Sequence, residues 1–271
     1  MQRSPRFFLQ HDSDAPETLQ IGGTEIVVYS RRCPTKETVN EDAAAIIPVG
    51  NQSFVVVVAD GVGGYRGGEE ASNLTLQQLA ETIANECQDP ALLRISILNG
   101  IERANSAILA QNSKACTTLA AIEFNAGEIR PYHVGDSMIL VCGQRSRVHY
   151  QTVSHSPVGF AVESGMLSED DALHHNERNL VSNVVGDEQM RIELGPPLKL
   201  ARRDTVLIAS DGLFDNLRVD EIVSTICSGS LTKSVEQLVK QARNRMTNPT
   251  SDVPSKPDDL TICALRRTSK N

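Results

Sequence analysis

The stretch Phe54-Val55-Val56-Val57-Val58-Ala59-Asp60-Gly61-Val62-Gly63-Gly64 decides how the rest of the chain is read. Four consecutive valines behind a phenylalanine make a short, unbroken β-branched run, the pattern of a strand buried on both faces. Asp60 stands at its end. Three glycines in the next four positions let the backbone turn sharply and leave the carboxylate and nearby carbonyls uncovered by side chains. An acid at the rim of a rigid core strand suits a hard cation, whereas an isolated Asp-Gly pair commonly just opens a hairpin. The other acids of the chain decide between these readings.

Working outward, residues 26–29 and 43–48 read as strands that join 54–59 in an antiparallel meander, with residues 1–20 a polar, loose or edge-docked lead-in. Downstream, Leu76, Leu79, Ala80, Ile83 and Cys87 fall on one helical face, and Leu93, Ile97, Ile101, Ala104 and Ile108 repeat the pattern after Pro90. Two amphipathic helices laid on a sheet follow. Residues 117–124, 129–134, 138–142 and 148–152 read as strands joined by evenly spaced hairpins, including one at Gly135-Asp136. Ser168 is a candidate N-cap for a short helix. A buried strand over 205–209, helices over 219–227 and 232–246, a proline-broken loop and a strand over 260–265 complete the chain. Strands, helix pair, strands, helices and strand predict two packed sheets with helix pairs outside, in one domain over residues 1–271.

With 271 residues and 40% hydrophobic content the chain can bury a large core, and with 4% aromatics and no tryptophan that core is aliphatic. A net charge of −8 without a basic stripe argues against nucleic acid or an anionic membrane as partner. The six cysteines have neither C-x-x-C nor metal-ligand spacing, which suits free thiols in a reducing compartment. The first residues lack the apolar run of a signal peptide and no stretch has membrane-spanning length, so a cytoplasmic, soluble protein is expected.

Acids recur at strand boundaries: Glu41-Asp42, Asp60, Asp136, Asp211 with Asp215, and Asp258-Asp259. Each alone reads as a cap, turn or solvated charge. Together, at converging sheet ends, they would repel one another and raise their own pKa values unless divalent cations neutralised them. Oxygen donors without a His or Cys pattern point to Mg2+ or Mn2+ and not to Zn2+. Two such ions about 3.5–4 Å apart can share a bridging hydroxide and hold a phosphoryl group for in-line attack. His155 reads as structural and His174 and His175 as surface residues. Ser154 and Ser156 lack a nucleophile elbow.

Asn40-Glu41-Asp42, Ala59-Asp60-Gly61-Val62-Gly63-Gly64, Thr117-Thr118, Gly135-Asp136-Ser137, Ser210-Asp211-Gly212-Leu213-Phe214-Asp215 and Asp258-Asp259-Leu260-Thr261 occur in the order of the metal-dependent (PPM, type-2C) protein phosphatases, which the chain resembles from about residue 26 to 265. Ser154-His155-Ser156 through Gly186 is similar to the bacterial branch.

The resemblance implies an α+β, four-layer sandwich of two antiparallel sheets flanked by helix pairs. It also implies hydrolysis of phosphoserine and phosphothreonine in proteins, opposing a serine/threonine kinase, by a monomer using two Mn2+ or Mg2+ ions with positions for a third. Carried over, Asp60, Asp211 and Asp258 are the catalytic acids. Asp60 bridges the ions, Gly61 offers its carbonyl, Asp211 and Asp258 complete one ion's ligands, Glu41 acts through water, and Asp42 supports from behind. Asp136 and Asp215 match the third, looser ion. Asp258 is preferred over Asp259 as the ligand.

Two positions depart from the family pattern. Glu37 replaces the phosphate-binding Arg, which leaves Lys36, Arg31, Arg32 or Arg66 to contact phosphate, and Val62 replaces a His present in many members. The first departure motivates an alternative, a weak or inactive phosphoprotein-binding module on the same fold.

Overall fold

The computed structural model describes residues 4–62, 67–112, 114–250 and 253–268. One sheet contains β1 (Arg6–Leu9), β4 (Asp42–Pro48), β5 (Ser53–Asp60), β6 (Leu119–Asn125), β7 (Glu128–Val134) and β10 (Glu193–Leu194) in that spatial order, with β11 (Leu198–Lys199) also on β7. The second runs β2 (Glu17–Ile21), β3 (Thr24–Arg31), β13 (Leu260–Arg267), β12 (Thr205–Ala209), β8 (Met138–Cys142), β9 (Val148–Gln151). Every pairing is antiparallel.

The valine run explains the layering. In β5 Val55, Val57 and Ala59 face helices α1 (Gly68–Glu86) and α2 (Leu93–Ala110), while Phe54, Val56 and Val58 face the second sheet. All four valines are fully buried, and each such side chain contributes roughly 1.5–3 kcal/mol of apolar burial. The second sheet turns its other face to α5 (Asp211–Phe214), α6 (Val219–Ile226) and α7 (Leu231–Thr247). The result is helices, sheet, sheet, helices, an α+β four-layer sandwich. Gly100 lets the first helix pair close up, since a Cβ there would lie 2.8 Å from Leu79 Cδ1.

Of the two forms open to the lead-in, loose or edge-docked, the structure has the second: residues 6–9 and 17–21 are edge strands, because β4 and β3 offer unpaired edges that they satisfy. Two expectations need correction. The first meander is split: β3 belongs to the second sheet, and only β4 and β5 form a hairpin. Nor is Gly135-Asp136 a hairpin turn. The chain crosses there from β7 in one sheet to β8 in the other, with Gly135 at φ 107° against the Thr118 side chain. Period-2 patterning identifies strands but does not say which sheet a buried strand joins. Between β9 and β10 lie two short helices, α3 (Pro157–Glu163) and α4 (Glu169–Ala172), the latter capped by Ser168 as its sequence predicts.

Candidate active site

The β4–β5 pairing sets Asp42 opposite Asp60 at one end of the first sheet. The Asp60 backbone is fixed on both sides: its N–H donates to Thr118 Oγ1 at 3.1 Å, and its carbonyl accepts from Thr117 Oγ1 at 2.8 Å. The buried Asp42 carboxylate accepts from Ser210 Oγ at 2.8 Å, and Ser210 Oγ accepts from the Thr261 N–H at 3.0 Å. That chain of bonds ties the first sheet's acidic end to the second sheet. Gly61 lies where a Cβ would be 2.4 Å from the Gly68 carbonyl, so only glycine lets the start of α1 approach the end of β5.

The second sheet delivers its acids by a still closer approach. A Cβ on Gly212 would sit 1.9 Å from the Asp259 carbonyl oxygen, so the start of α5, with Asp211, lies directly on the segment that carries Asp258. Asp211, Asp215 and Asp258 all pair with the Lys256 ammonium, at 2.9 Å for Asp215 and 3.2 Å for Asp258. Asp211 Oδ1 is buried without a hydrogen-bond partner.

Electrostatics describe one cluster. Burial, then the charges of Asp42, Asp211, Asp258 and Asp136, push the Asp60 carboxyl well above the usual carboxylate range. Asp42 is raised by burial and by Asp259 and Asp258. Burial and the charges of Asp211 and Asp215 bring Asp136 to about 8, while burial and Asp211 bring Asp258 to about 7 and Asp215 to about 6. Lys256 opposes each of these last three shifts, and its own pKa is raised because the aspartates outweigh its burial. Buried and half-buried carboxylates that repel one another, an orphaned oxygen and an all-oxygen donor set fit a hard divalent cation.

The remaining candidates fall in different places. Glu41 is at the rim, its carboxylate 2.5 Å from Lys36 Nζ. Lys36 also holds Asp259 at 2.8 Å, so its ammonium is engaged by two acids, with Glu37 beside it exposed. Arg31 and Arg32 pair with the lead-in acids instead: Arg31 with Asp14 at 2.6 Å and Asp12 at 3.5 Å, Arg32 with Asp12 at 3.2 Å. Arg66 lies outside the described residues. Asp259 turns away from Lys256, accepting from the Cys33 and Glu41 N–H groups at 2.7 Å each. His155 has a structural position: Nδ1 accepts from the Gly135 N–H at 3.1 Å and Nε2 pairs with Glu193 at 2.9 Å. His174 is exposed.

Two residues, Lys256 and Asn216, escaped the sequence reading, and Arg178 was read only as part of the stretch similar to the bacterial branch. Lys256 lay in what read as a proline-broken loop, although a lysine between two prolines and two residues before an acid pair was a usable signal. Asn216 is fully buried and bonds both the Gly212 carbonyl and the Lys256 backbone. Arg178 reaches the Ser255 carbonyl at 3.0 Å. A cleft of about 750 Å3 opens beside the acids, lined in part by Asp136, Asp211, Asp215, Arg178, Ser156 and Phe214.

Fold and acid cluster together define a metal-dependent hydrolase of phosphate esters. The model of the protein phosphatase 2C family matches residues 29–247. Protein phosphatase PhpP of Streptococcus pneumoniae is 27% identical over 199 residues, 70% of this chain and 80% of that one. Serine/threonine protein phosphatase PstP of Mycobacterium tuberculosis is 27% identical over 197 residues, 69% of this chain, and the match spans 37% of that longer protein. The solved catalytic domain of a serine/threonine phosphatase PstP, in complex with two manganese ions, shares the fold at a TM-score of 0.70 and 24% identity, covering 90% of this chain and 97% of that one. The chain belongs to the protein phosphatase 2C family, metal-dependent enzymes that act on phosphoserine and phosphothreonine in proteins.

Proposed function

We propose that the chain, as one unit over residues 1–271, dephosphorylates phosphoserine and phosphothreonine in proteins with Mn2+ or Mg2+. The ions are held by Asp60, the Gly61 carbonyl, Asp211 and Asp258, with Glu41 acting through water and Asp42 supporting from behind. The observation that carries this is that Asp42, Asp60, Asp136, Asp211, Asp215 and Asp258 act on one another's charge at the adjoining ends of the two sheets, with Lys256 paired to Asp211, Asp215 and Asp258. Divalent ions bound there supply Lewis-acid chemistry: a water made acidic near neutral pH and neutralisation of the phosphoryl oxygens.

The protein's own residues do the positioning. Thr117 and Thr118 hold the Asp60 backbone. Ser210 orients Asp42 and, through the Thr261 N–H, keeps the two sheets in register at the acid cluster. Asp259 fixes the rim by holding the Glu41 N–H and Lys36. The cleft beside Asp136 and Asp211 gives a phosphorylated side chain a way in.

Partner and setting follow from the same reading: a phosphorylated protein substrate, opposition to a serine/threonine kinase, no nucleic acid or membrane partner, a monomer in the cytoplasm. No helix among the described residues is long and apolar enough to cross a membrane.

The test is Mn2+-dependent phosphate release from a phosphothreonine peptide. Turnover is expected to vanish with EDTA and to fall by more than about 100-fold in Asp60→Asn, since losing a ligand costs at least as much as losing a residue behind it. No release by the wild type, or release indifferent to both changes, removes the proposal.

A further inference from the structure

We propose that Cys142 and Cys227 are an oxidisable pair, converted by a hydroperoxide into a disulfide that staples α6 to the second sheet. This goes beyond the phosphatase reading and does not depend on it. The two sulfurs lie 2.8 Å apart although both are free thiols, so about 0.8 Å of approach separates them from a covalent bond. Cys33 and Cys87 turn their sulfurs to oxygen instead, to Thr35 Oγ1 and the Asp89 carbonyl at 3.3 Å each.

Each of the two thiols ends an element. Cys142 closes β8, fully buried, with Thr205 of β12 and Val148 of β9 opposite it. Cys227 is the half-buried residue at the end of α6, its N–H donating to the Val223 carbonyl at 3.1 Å. Ser228, Gly229 and Ser230 beyond it are exposed, and Gly229 has open space where a Cβ would stand, so a small oxidant reaches Cys227 first. Arg266 of β13 frames the pair. It donates to the Ile226 and Gly229 carbonyls, on either side of Cys227, at 2.5 and 2.8 Å, and to Thr205 Oγ1 at 2.9 Å. A helix C-terminus by itself disfavours a thiolate, and a guanidinium bonded to the last carbonyls offsets that. The Cys142 thiol, against burial, and then Arg266, against Asp204, hold the Cys227 thiol below its usual range. Cys227 is the attacking sulfur and Cys142 the resolving one.

Hydrogen peroxide balances the step. The Cys227 thiolate attacks one peroxide oxygen, the O–O bond breaks, and the hydroxide released takes up the proton that Cys227 gave up, leaving water and a sulfenic acid. Cys142 then attacks the Cys227 sulfur: the S–S bond forms, the S–O bond breaks, and the hydroxide departs with the Cys142 proton as a second water. Two electrons pass from the sulfurs to the peroxide, and a dithiol returns them by exchange. In a reducing compartment such a bond is a transient response to oxidant. It joins residues 85 apart in sequence, and closing so long a loop in the unfolded chain favours the folded one. The cleft beside the acids is lined by Met138 and Val219, the first residues of β8 and α6, so the staple ties together the far ends of two elements that wall the cleft.

The test treats the full chain with hydrogen peroxide at neutral pH and alkylates the remaining thiols under denaturing conditions. Intact mass, peptide maps and thermal melts are read before and after reduction with dithiothreitol. Two of the six thiols are expected to escape alkylation, in a peptide pair linking Cys142 to Cys227, and the oxidised form is expected to melt higher than the reduced one. With dimedone present, Cys142→Ser is expected to take the adduct at Cys227, and Cys227→Ser to take none at Cys142. The wild-type readings decide the matter whether or not a variant folds, and neither needs metal or turnover. Six alkylated thiols, a link between other cysteines, or an oxidised form that melts no higher than the reduced one overturns the proposal. An adduct at Cys142 in Cys227→Ser overturns the assignment of attacking and resolving sulfurs.

Discussion

Acidification from pH 7 to 5 is expected to destabilise the protein through His133. This residue lies in β7, is 1% exposed and has its ring centroid 4.4 Å from that of His155. Neither ring nitrogen makes a well-formed hydrogen bond. Burial first, then the His155 charge, lower its pKa to about 3, with only the Ser137 backbone acting the other way. His155 and, beyond it, Glu193 are the titratable groups in this pocket. The folded state keeps the imidazole neutral, whereas the unfolded chain protonates it near pH 6.5, so the unfolded state binds more protons between about 3 and 6.5. The stabilisation is fully present above pH 6.5 and is lost as pH falls toward 3. At about 1.4 kcal/mol per pH unit, His133 costs about 2 kcal/mol at pH 5. The raised aspartates of the metal-free cluster have the opposite sign, since burial makes them bind protons in the folded state, so the measurement must be differential. Urea denaturation of wild type and His133→Gln at pH 7 and 5 supplies it: the wild type should lose about 2 kcal/mol more than the variant. Equal losses would refute the reasoning.

Three further outcomes are expected. Leu79→Ala, which empties a fully buried position at the α1–α2 crossing, should cost about 2–5 kcal/mol by chemical denaturation, and a cost below about 1 kcal/mol would mean that the helices close over the gap. Asn216→Ala should weaken Mn2+ binding by about 10–100-fold in calorimetry, because the clamp between Lys256 and Gly212 is lost, and an unchanged isotherm would show that the segment holds itself. Mn2+ at about 100 times its dissociation constant should stabilise the wild type by about 2.7 kcal/mol, reversibly with EDTA, and Asp60→Asn by much less. Equal shifts in both would place the ions elsewhere.

The layering was legible because the valine run admits only a strand covered on both sides, and because the stripes of Leu76–Leu79–Ile83 and Leu93–Ile97–Ile101 can only be helix faces. Acids at strand ends were legible for the same reason: a polar residue beside a fully apolar run marks where the core stops. Sheet membership was not. β3 and β4 have equally apolar patterns, and their assignment to different sheets depends on pairing with β13, more than two hundred residues away. Lys256 was missed because its one local signal, a lysine between two prolines ahead of an acid pair, says nothing of the acids that reach it from α5. Its position follows from Asn216, forty residues upstream. Arg31 and Arg32 were candidates because Glu37 stands where a phosphate-binding Arg is expected, whereas the segment between the lead-in strands brings Asp12 and Asp14 to their guanidinium groups.

β13 sits in the interior of its sheet, between β3 and β12, yet among the described strands it is the last to be synthesised. A nascent chain that has not reached residue 260 therefore carries two half-sheets, β2–β3 and β12–β8–β9, each with an open edge. Ribosome-bound intermediates of this protein should accordingly be natural clients for a chaperone, and catalytic competence should arrive in a single step as the closing strand slots home.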